Sequence, residues 1–159
     1  MRLRADLAST PELRAFRDEL AGWLAEHLTP DFTGPELEDP TGASGEAFER
    51  RRAWQRELYD GGWVGVHWPK DHGGRGAGLV EYALYLLTCA EAGAPDPVNT
   101  IGLSMVGPTL IDHGSPEQLA LLPGILSAEA IWAQLFSEPE AGSDLGAIRT
   151  RAQALDGGG

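Results

Sequence analysis

Cysteine is all but missing from this chain of 159 residues: Cys89 stands alone. No intrachain disulfide can form, and an oxidising compartment is not implied. Lysine is as scarce, with Lys70 the single example among 12 basic residues. Those 12 face 24 Asp and Glu, for a formal net charge of -12. A basic footprint of the kind that holds DNA or RNA is absent, and so is electrostatic attraction to anionic lipid. No apolar run approaches the roughly 18 residues of a membrane span. Arg2 and Arg4 lead into Asp6 rather than an apolar stretch, so no signal peptide is expected. The expectation is a soluble cytoplasmic protein.

What the chain does have is ordinary globular material. Hydrophobic residues make up 42% and charged residues 23%, and five Trp supply large apolar side chains for a core. Disorder throughout and a collagen-like fibre are both excluded. The length fits one domain, or one domain and part of a second.

Helix signals dominate the first two thirds. Ser9-Thr10-Pro11-Glu12 supplies a capping hydroxyl, a proline and an early carboxylate, and Leu13, Phe16, Leu20, Trp23 and Leu24 follow on one stripe. Leu28-Thr29-Pro30 ends that helix, and residues 30–45 read as a loop. A second helix is predicted over 46–59, with Phe48, Trp54, Leu58 and Tyr59 inward and Arg50, Arg51, Arg52 and Arg56 on a solvated face. Residues 63–68 read as an apolar extended connection, and 69–78 as a loop by glycine content. A third helix over 79–92 is apolar almost all round, which places it in the middle of a bundle. A fourth helical stretch, 98–112, is expected to break near Gly107-Pro108. Ser115 and Gln118 then sit in capping-box spacing, and that helix runs to about Leu122.

The period changes at Ala130. Residues 130–137 are apolar and aromatic and read as a strand, 138–144 as a loop, and 147–152 as a second strand. Asp156-Gly157 is a hairpin-turn signal.

Several familiar chemistries lack their signatures. The glycine loop at 73–78 is not G-x-G-x-x-G and no G-K-S/T follows, so it reads as a connecting loop. His67, Asp71 and His72 lie close in sequence without metal-ligand spacing, which favours hydrogen-bonding or surface roles and no metal site. There is no G-x-S-x-G elbow for a serine hydrolase. Cys89 falls in an apolar helix and is expected to be buried and inert. The informative segment is 134–144, Gln-Leu-Phe-Ser-Glu-Pro-Glu-Ala-Gly-Ser-Asp. Gly142 permits close backbone approach, Ser137 and Ser143 offer hydroxyls, and successive N–H groups in such a turn can cradle an anion. From chemistry alone it is either a phosphate or cofactor loop or a structural strand connection.

That segment resembles the flavin-binding signature of the acyl-CoA dehydrogenase family, E-P-x-A-G-S-D after a strand. Trp68-Pro69-Lys70-Asp71-His72-Gly73-Gly74-Arg75-Gly76 is similar to the family's P-x-x-x-G-G-x-G loop. His113-Gly114-Ser115-Pro116-Glu117-Gln118 with Leu122-Pro123 resembles its H-G-S/T-x-x-Q and L-P element. The motifs come in the family's order and cover essentially the chain from the first helix onward.

The resemblance implies a mainly α fold: a helical bundle, residues 1–129, like the family's N-terminal domain, followed by an incomplete β segment, 130–159, that opens its middle domain. It implies FAD as cofactor and oxidation of an acyl-CoA thioester to the trans-2-enoyl-CoA. A carboxylate takes the α proton, the β hydrogen leaves as hydride, and an electron-transfer flavoprotein accepts the electrons. By position, Gln134, Phe136 and Ser137 would line the flavin ring, Gly142 and Ser143 would sit near the flavin and its pyrophosphate, and Ser143 near the acyl-CoA. Glu140 departs from the glycine many relatives carry and adds a carboxylate near an anionic ligand. The general-base Glu lies far downstream in the family, so no catalytic residue is assigned within this chain. Alone it is expected to be inactive and to bind FAD weakly or not at all. The full-length form is expected to be a homo- or hetero-oligomer. Two other readings share these motifs: a non-catalytic helical subunit completing a partner's site, and a flavin oxidase or monooxygenase on the same fold.

Overall fold

The computed structural model describes residues 7–37, 45–151 and 153. Helix α1, Pro11–His27, starts where its sequence says it should: the Thr10 hydroxyl accepts the N–H of Leu13 and proline occupies the first turn. Short 3-10 turns at Pro30–Phe32 and Pro35–Leu37 lead towards α2, Glu46–Asp60. Helix α3 is Leu79–Ala92, closed by Gly93 in the left-handed conformation. Then come a π-helical turn, Gly102–Val106, and α4, Gly107–His113, α5, Pro116–Leu119, and α6, Leu122–Leu126. Among the described residues no helix is long and apolar enough to cross a membrane.

The core lies between these helices and is built on tryptophan. Trp54, Trp63 and Trp68 are fully buried among Leu20, Leu24, Leu58, Ile125 and Leu126. Burying each such side chain contributes about 2–3 kcal/mol through area alone. Two of their indole N–H groups are paired: Trp54 donates to the Pro95 carbonyl and Trp68 to that of Leu103, both at 2.9 Å. Arg75 lies over the Trp63 ring, 3.6 Å from its centroid, and pairs with Glu19 of α1 at 2.7 Å, which ties the glycine loop to the first helix.

Five expectations change here. The helical stretch does not break at Pro108. The Gly107 N–H reaches back to the Gly102 carbonyl, and this wider turn carries the helix past a residue with no N–H to give. The helix expected from Ser115 to about Leu122 ends at Leu119 instead, and α6 starts anew at Leu122 with Pro123 in its first turn, where proline is tolerated. Helix α3 is not the middle of the bundle: it buries Leu84, Tyr85 and Thr88 but leaves Leu79 84% exposed, with Leu86 and Leu87 half-exposed. The arginines of α2 are not all solvated either. Arg51 is 1% exposed and donates to the carbonyls of Asp96 and Pro97, while Arg52 donates to that of Ala128. Residues 63–68 are a series of turns rather than an extended connection, bent at Gly65 with φ 54°.

Neither predicted strand forms a ladder among the described residues. Residues 131–137 form neither helix nor strand, and the only bridge in this region among the described residues joins Glu138 to Ala141. A strand needs a partner for its N–H and C=O groups, and none of the described chain lies alongside. Part of the second predicted strand and the hairpin signal at 156–157 fall outside the described residues.

Candidate functional site

The arm that carries the flavin-like signature is anchored at its base by one side chain. Asn99 is 1% exposed. Its amide Nδ2 donates to the Ile125 carbonyl at 3.0 Å and to the Ala130 carbonyl at 2.8 Å, and its Oδ1 accepts the Trp132 N–H at 2.9 Å. The Asn99 backbone N–H in turn donates to Gln55 Oε1, and Gln55 Nε2 bonds the Ile125 and Leu126 carbonyls. Helices α2 and α6, the turn before the π-helical segment and the first residues of the arm therefore share one buried network. Ala128 precedes the arm at φ 59°, an uncommon conformation for a residue with a Cβ, and its carbonyl accepts from Arg52 Nε at 2.9 Å. The network satisfies these groups and aims the arm. Two others nearby stay open: Ser127 Oγ and Trp132 Nε1 are buried with no hydrogen-bond partner.

Beyond Trp132 the arm leaves the helical body. Gln134, Phe136 and Ser137 are all exposed, Phe136 by 65% and its neighbour Leu135 by 93%. Reciprocal bonds close the turn that follows: Glu138 N–H to the Ala141 carbonyl at 2.9 Å and Ala141 N–H to that of Glu138 at 3.1 Å. This turn brings the end of the arm beside Gly142 and Ser143, which are also exposed. Glu138 is not a free acid or base. Its carboxylate accepts the Thr150 hydroxyl and the N–H groups of Arg149 and Thr150, and these hold its pKa below the usual carboxylate range. Glu140 pairs with Arg149 at 3.2 Å.

The residues present suit a flavin. Among the described residues no partner takes up the backbone N–H groups of 133–137 or of Gly142 and Ser143. A Cβ placed on Gly142 meets nothing within 4 Å, so the backbone there is open to close approach. Phe136 offers an apolar ring surface beside those donors.

The glycine loop behaves otherwise. Its N–H groups turn inward: Gly74 to the Pro69 carbonyl, Arg75 and Ala77 to that of Val66, and Gly76 to that of Trp68. Gly78 N–H, at the start of α3, is taken by the Glu81 carboxylate at 2.6 Å. No anion cradle remains, in keeping with a connecting loop. Among the described residues no group of three His, Cys, Asp or Glu converges as metal ligands would.

A second feature lies on the other side of the 99–104 turn. A cleft of about 120 Å³ is lined by His67, Tyr82, Tyr85, Leu86, Asp96, Pro97, Thr100, Leu103 and Ser104. His67 and Tyr82 are in ring contact at 4.5 Å, and Tyr82 stacks near Tyr85 at 6.3 Å. Burial pushes the His67 pKa down, against a smaller opposing effect of the Leu103 carbonyl, and Nδ1 of that ring has no hydrogen-bond partner. Burial also raises the Tyr82 pKa, and the Asp96 carboxylate adds to the rise. Sequence reasoning found the arm but neither its clamp nor this cleft. Asn99, Gln55 and Arg52 belong to no motif, and the sequence offers His67 only as a hydrogen-bonding or surface residue, with no sign of the cleft around it.

A profile of the acyl-CoA dehydrogenase N-terminal domain matches residues 10–129. The acyl-CoA dehydrogenase IpdE1 of Mycolicibacterium smegmatis is 43% identical over 145 residues, which cover 91% of this chain and 37% of that protein. Among solved structures, the Tcur3481-Tcur3483 steroid ACAD superposes with a TM-score of 0.73 at 33% identity, over 95% of this chain and 38% of that one. The ChsE4-ChsE5 complex from Mycobacterium tuberculosis gives 0.68 at 29% identity, over 99% of this chain and 37% of that one. The chain thus spans a little over a third of the length of the relatives it matches.

Proposed function

Because the chain belongs to the acyl-CoA dehydrogenase family, we propose that it is the helical and flavin-arm part of an FAD-dependent enzyme that converts an acyl-CoA thioester to the trans-2-enoyl-CoA. The observation that carries this reading is the arm itself: an exposed segment, 133–137, leads into the family's signature, and among the described residues the N–H groups of 133–137 and of Gly142 and Ser143 have no partner. FAD, when bound, supplies the acceptor for the substrate's β hydrogen. The tasks of this chain are binding and orientation. Gln134, Phe136 and Ser137 hold the ring through backbone N–H groups, a hydroxyl and an aromatic face. Gly142 lets the backbone approach the pyrophosphate, and Ser143 serves both the flavin and the acyl-CoA. The cleft at Tyr82, Tyr85 and Ser104 forms part of the wall around the acyl group, since the 99–104 turn serves both cleft and arm.

The domain division follows the same reading. Residues 1–129 form the helical domain and 130–159 open the β domain, whose remainder supplies partner strands to the arm. The general base comes from outside residues 1–159, because abstraction of the α proton needs a carboxylate at the reacting carbon and no motif in this chain supplies one. An electron-transfer flavoprotein reoxidises the flavin, and the enzyme works as an oligomer in the cytoplasm. Both structural relatives are named as two-component assemblies, which supports a heteromeric form in which this chain completes a partner's site.

The test is reconstitution. The chain is titrated with FAD alone and again after co-expression with the β and C-terminal portions, in cis or as a partner. We expect weak or no FAD binding in the first case, and in the second stoichiometric flavin that bleaches anaerobically on addition of an acyl-CoA. A flavin-free assembly, or one that reacts with oxygen instead of passing electrons to a flavoprotein, sinks the dehydrogenase reading.

A further inference from the structure

We propose that Glu138 is a positioning residue for the cofactor loop: its carboxylate closes residues 138–150 on themselves and so sets the Gly142 and Ser143 N–H groups towards the flavin pyrophosphate. This rests on the dehydrogenase reading above and adds to it a residue that acts through the loop rather than by touching the cofactor. Three observations carry it, beginning with the bonds that one side chain makes. Glu138 Oε1 accepts the Thr150 N–H at 2.6 Å and the Thr150 hydroxyl, and Oε2 accepts the Arg149 N–H at 3.0 Å. Two successive N–H groups facing one carboxylate form the kind of nest that elsewhere holds a phosphate. The Thr150 hydroxyl, and then the two N–H groups, keep the carboxylate pKa below its usual range, so these bonds stay charge-assisted at neutral pH.

The second is what the closure surrounds. The reciprocal Glu138 and Ala141 bonds tighten one end, the carboxylate ties the other, and a 3-10 turn at Leu145–Ala147 lies between. Gly142 and Ser143 sit inside this ring, exposed, with no partner for their N–H groups among the described residues. An untied loop of that length must be ordered when a ligand binds, which costs affinity, and a tie made beforehand removes that cost. The third is sign. A carboxylate in a loop that receives a pyrophosphate opposes the ligand by charge alone. Glu138 offsets this by engaging the loop's own donors: the N–H groups of 149 and 150 are taken, and those of 142 and 143 are left to the anion.

The experiment titrates FAD into the apo form of the assembled enzyme containing this chain, followed by flavin fluorescence quenching and the visible absorption spectrum. Glu138→Ala is expected to weaken FAD binding by about tenfold or more. Glu138→Gln is nearly isosteric and keeps an acceptor for Thr150 but none for Arg149, so it should fold as wild type and weaken binding by about three- to fivefold. Charge alone predicts the opposite, tighter binding on loss of a negative group. Glu140→Gln makes the same charge change where the carboxylate pairs with the exposed Arg149 side chain at 3.2 Å, and should bind FAD at least as tightly as wild type. Thr150→Val should weaken binding less than Glu138→Ala, and adding it to Glu138→Ala should change little more, since the two residues act as one unit. A Glu138→Gln enzyme that binds FAD as tightly as wild type, or tighter, overturns the inference and leaves the dehydrogenase reading intact. So do additive losses from Glu138→Ala and Thr150→Val, which would place the carboxylate's effect on the ligand itself. A wild-type assembly that takes up no flavin overturns both.

Discussion

The side-chain oxygen of Asn99 accepts the backbone N–H of Trp132 at 2.9 Å, and through that bond a buried helical residue fixes where the exposed arm begins. Its amide nitrogen holds the Ile125 and Ala130 carbonyls at the same time. Asn99→Ala would leave the half-buried Ala130 carbonyl and the Trp132 N–H with no replacement partner, while the Ile125 carbonyl keeps its bond from Gln55. A loss of about 2–4 kcal/mol in denaturant unfolding is expected, since an orphaned buried group costs about 1–3 kcal/mol. Asn99→Asp should be no milder, because it keeps the acceptor for Trp132 but removes both donors and buries a charge. In the assembled enzyme, both variants should also weaken FAD binding under conditions where they remain folded. A variant that unfolds with the wild-type midpoint would show that the clamp does not carry this load.

Two glycines should respond in opposite ways to the same substitution. A Cβ on Gly107 would lie 1.9 Å from Cζ2 of Trp68, inside a rigid buried ring that cannot step aside. Gly107→Ala is therefore expected to cost about 3 kcal/mol, at the upper end of ordinary overpacking, with a visible change in tryptophan fluorescence. A Cβ on Gly142 meets nothing. Gly142→Ala should leave the thermal midpoint of the isolated chain within a degree or so, because exposed sites away from special features rarely move stability. If the arm's role is as proposed, the same change lowers FAD affinity in the assembled enzyme. Equal destabilisation by both substitutions would contradict this account.

The contrast between these glycines reflects what was legible in the sequence. Caps and stripes are local, so Thr10 with Pro11, and Ser115 with Gln118, marked their helix starts correctly. The signature at 138–144 was legible for a similar reason, since contiguous residues carry it. Arg51 and Asn99 were not, because their partners lie about 45 and about 30 residues away in the chain and nothing in the local pattern separates a buried arginine from a solvated one. Pro108 misled in the other direction. Proline does end ordinary helices, but a π turn placed just before it removes the conflict. The arm at 131–137 has the composition of a strand but, among the described residues, no partner to pair it into one.

Cys89 should be chemically silent. Burial pushes its thiol pKa up to about 12, with the Asp96 carboxylate adding to the rise and the Tyr85 hydroxyl opposing it. The thiolate is the nucleophile, and an ordinary cysteine is about a quarter ionised at pH 8. Alkylation of the folded chain by iodoacetamide at pH 8 is expected to run about a thousandfold slower than that of a free thiol, and to reach the normal rate in denaturant. Labelling at the rate of a free thiol under native conditions would contradict the burial of this side chain.

His67 should make the chain acid-sensitive in a narrow window. Its pKa is lowered in the folded state, chiefly by burial, from an ordinary value near 6.5. Below that value the unfolded chain binds a proton that the folded chain resists. The His67 contribution to stability is therefore complete above about pH 7 and is lost as pH falls through 6.5 towards the folded pKa. Carboxylates titrate lower, so the window from about 7 to 5.5 isolates the histidines. His67→Phe should flatten the stability profile across it. Urea midpoints at half-unit pH steps measure this. A His67→Phe profile parallel to wild type would mean that the ring is as well solvated in the folded chain as in the unfolded one.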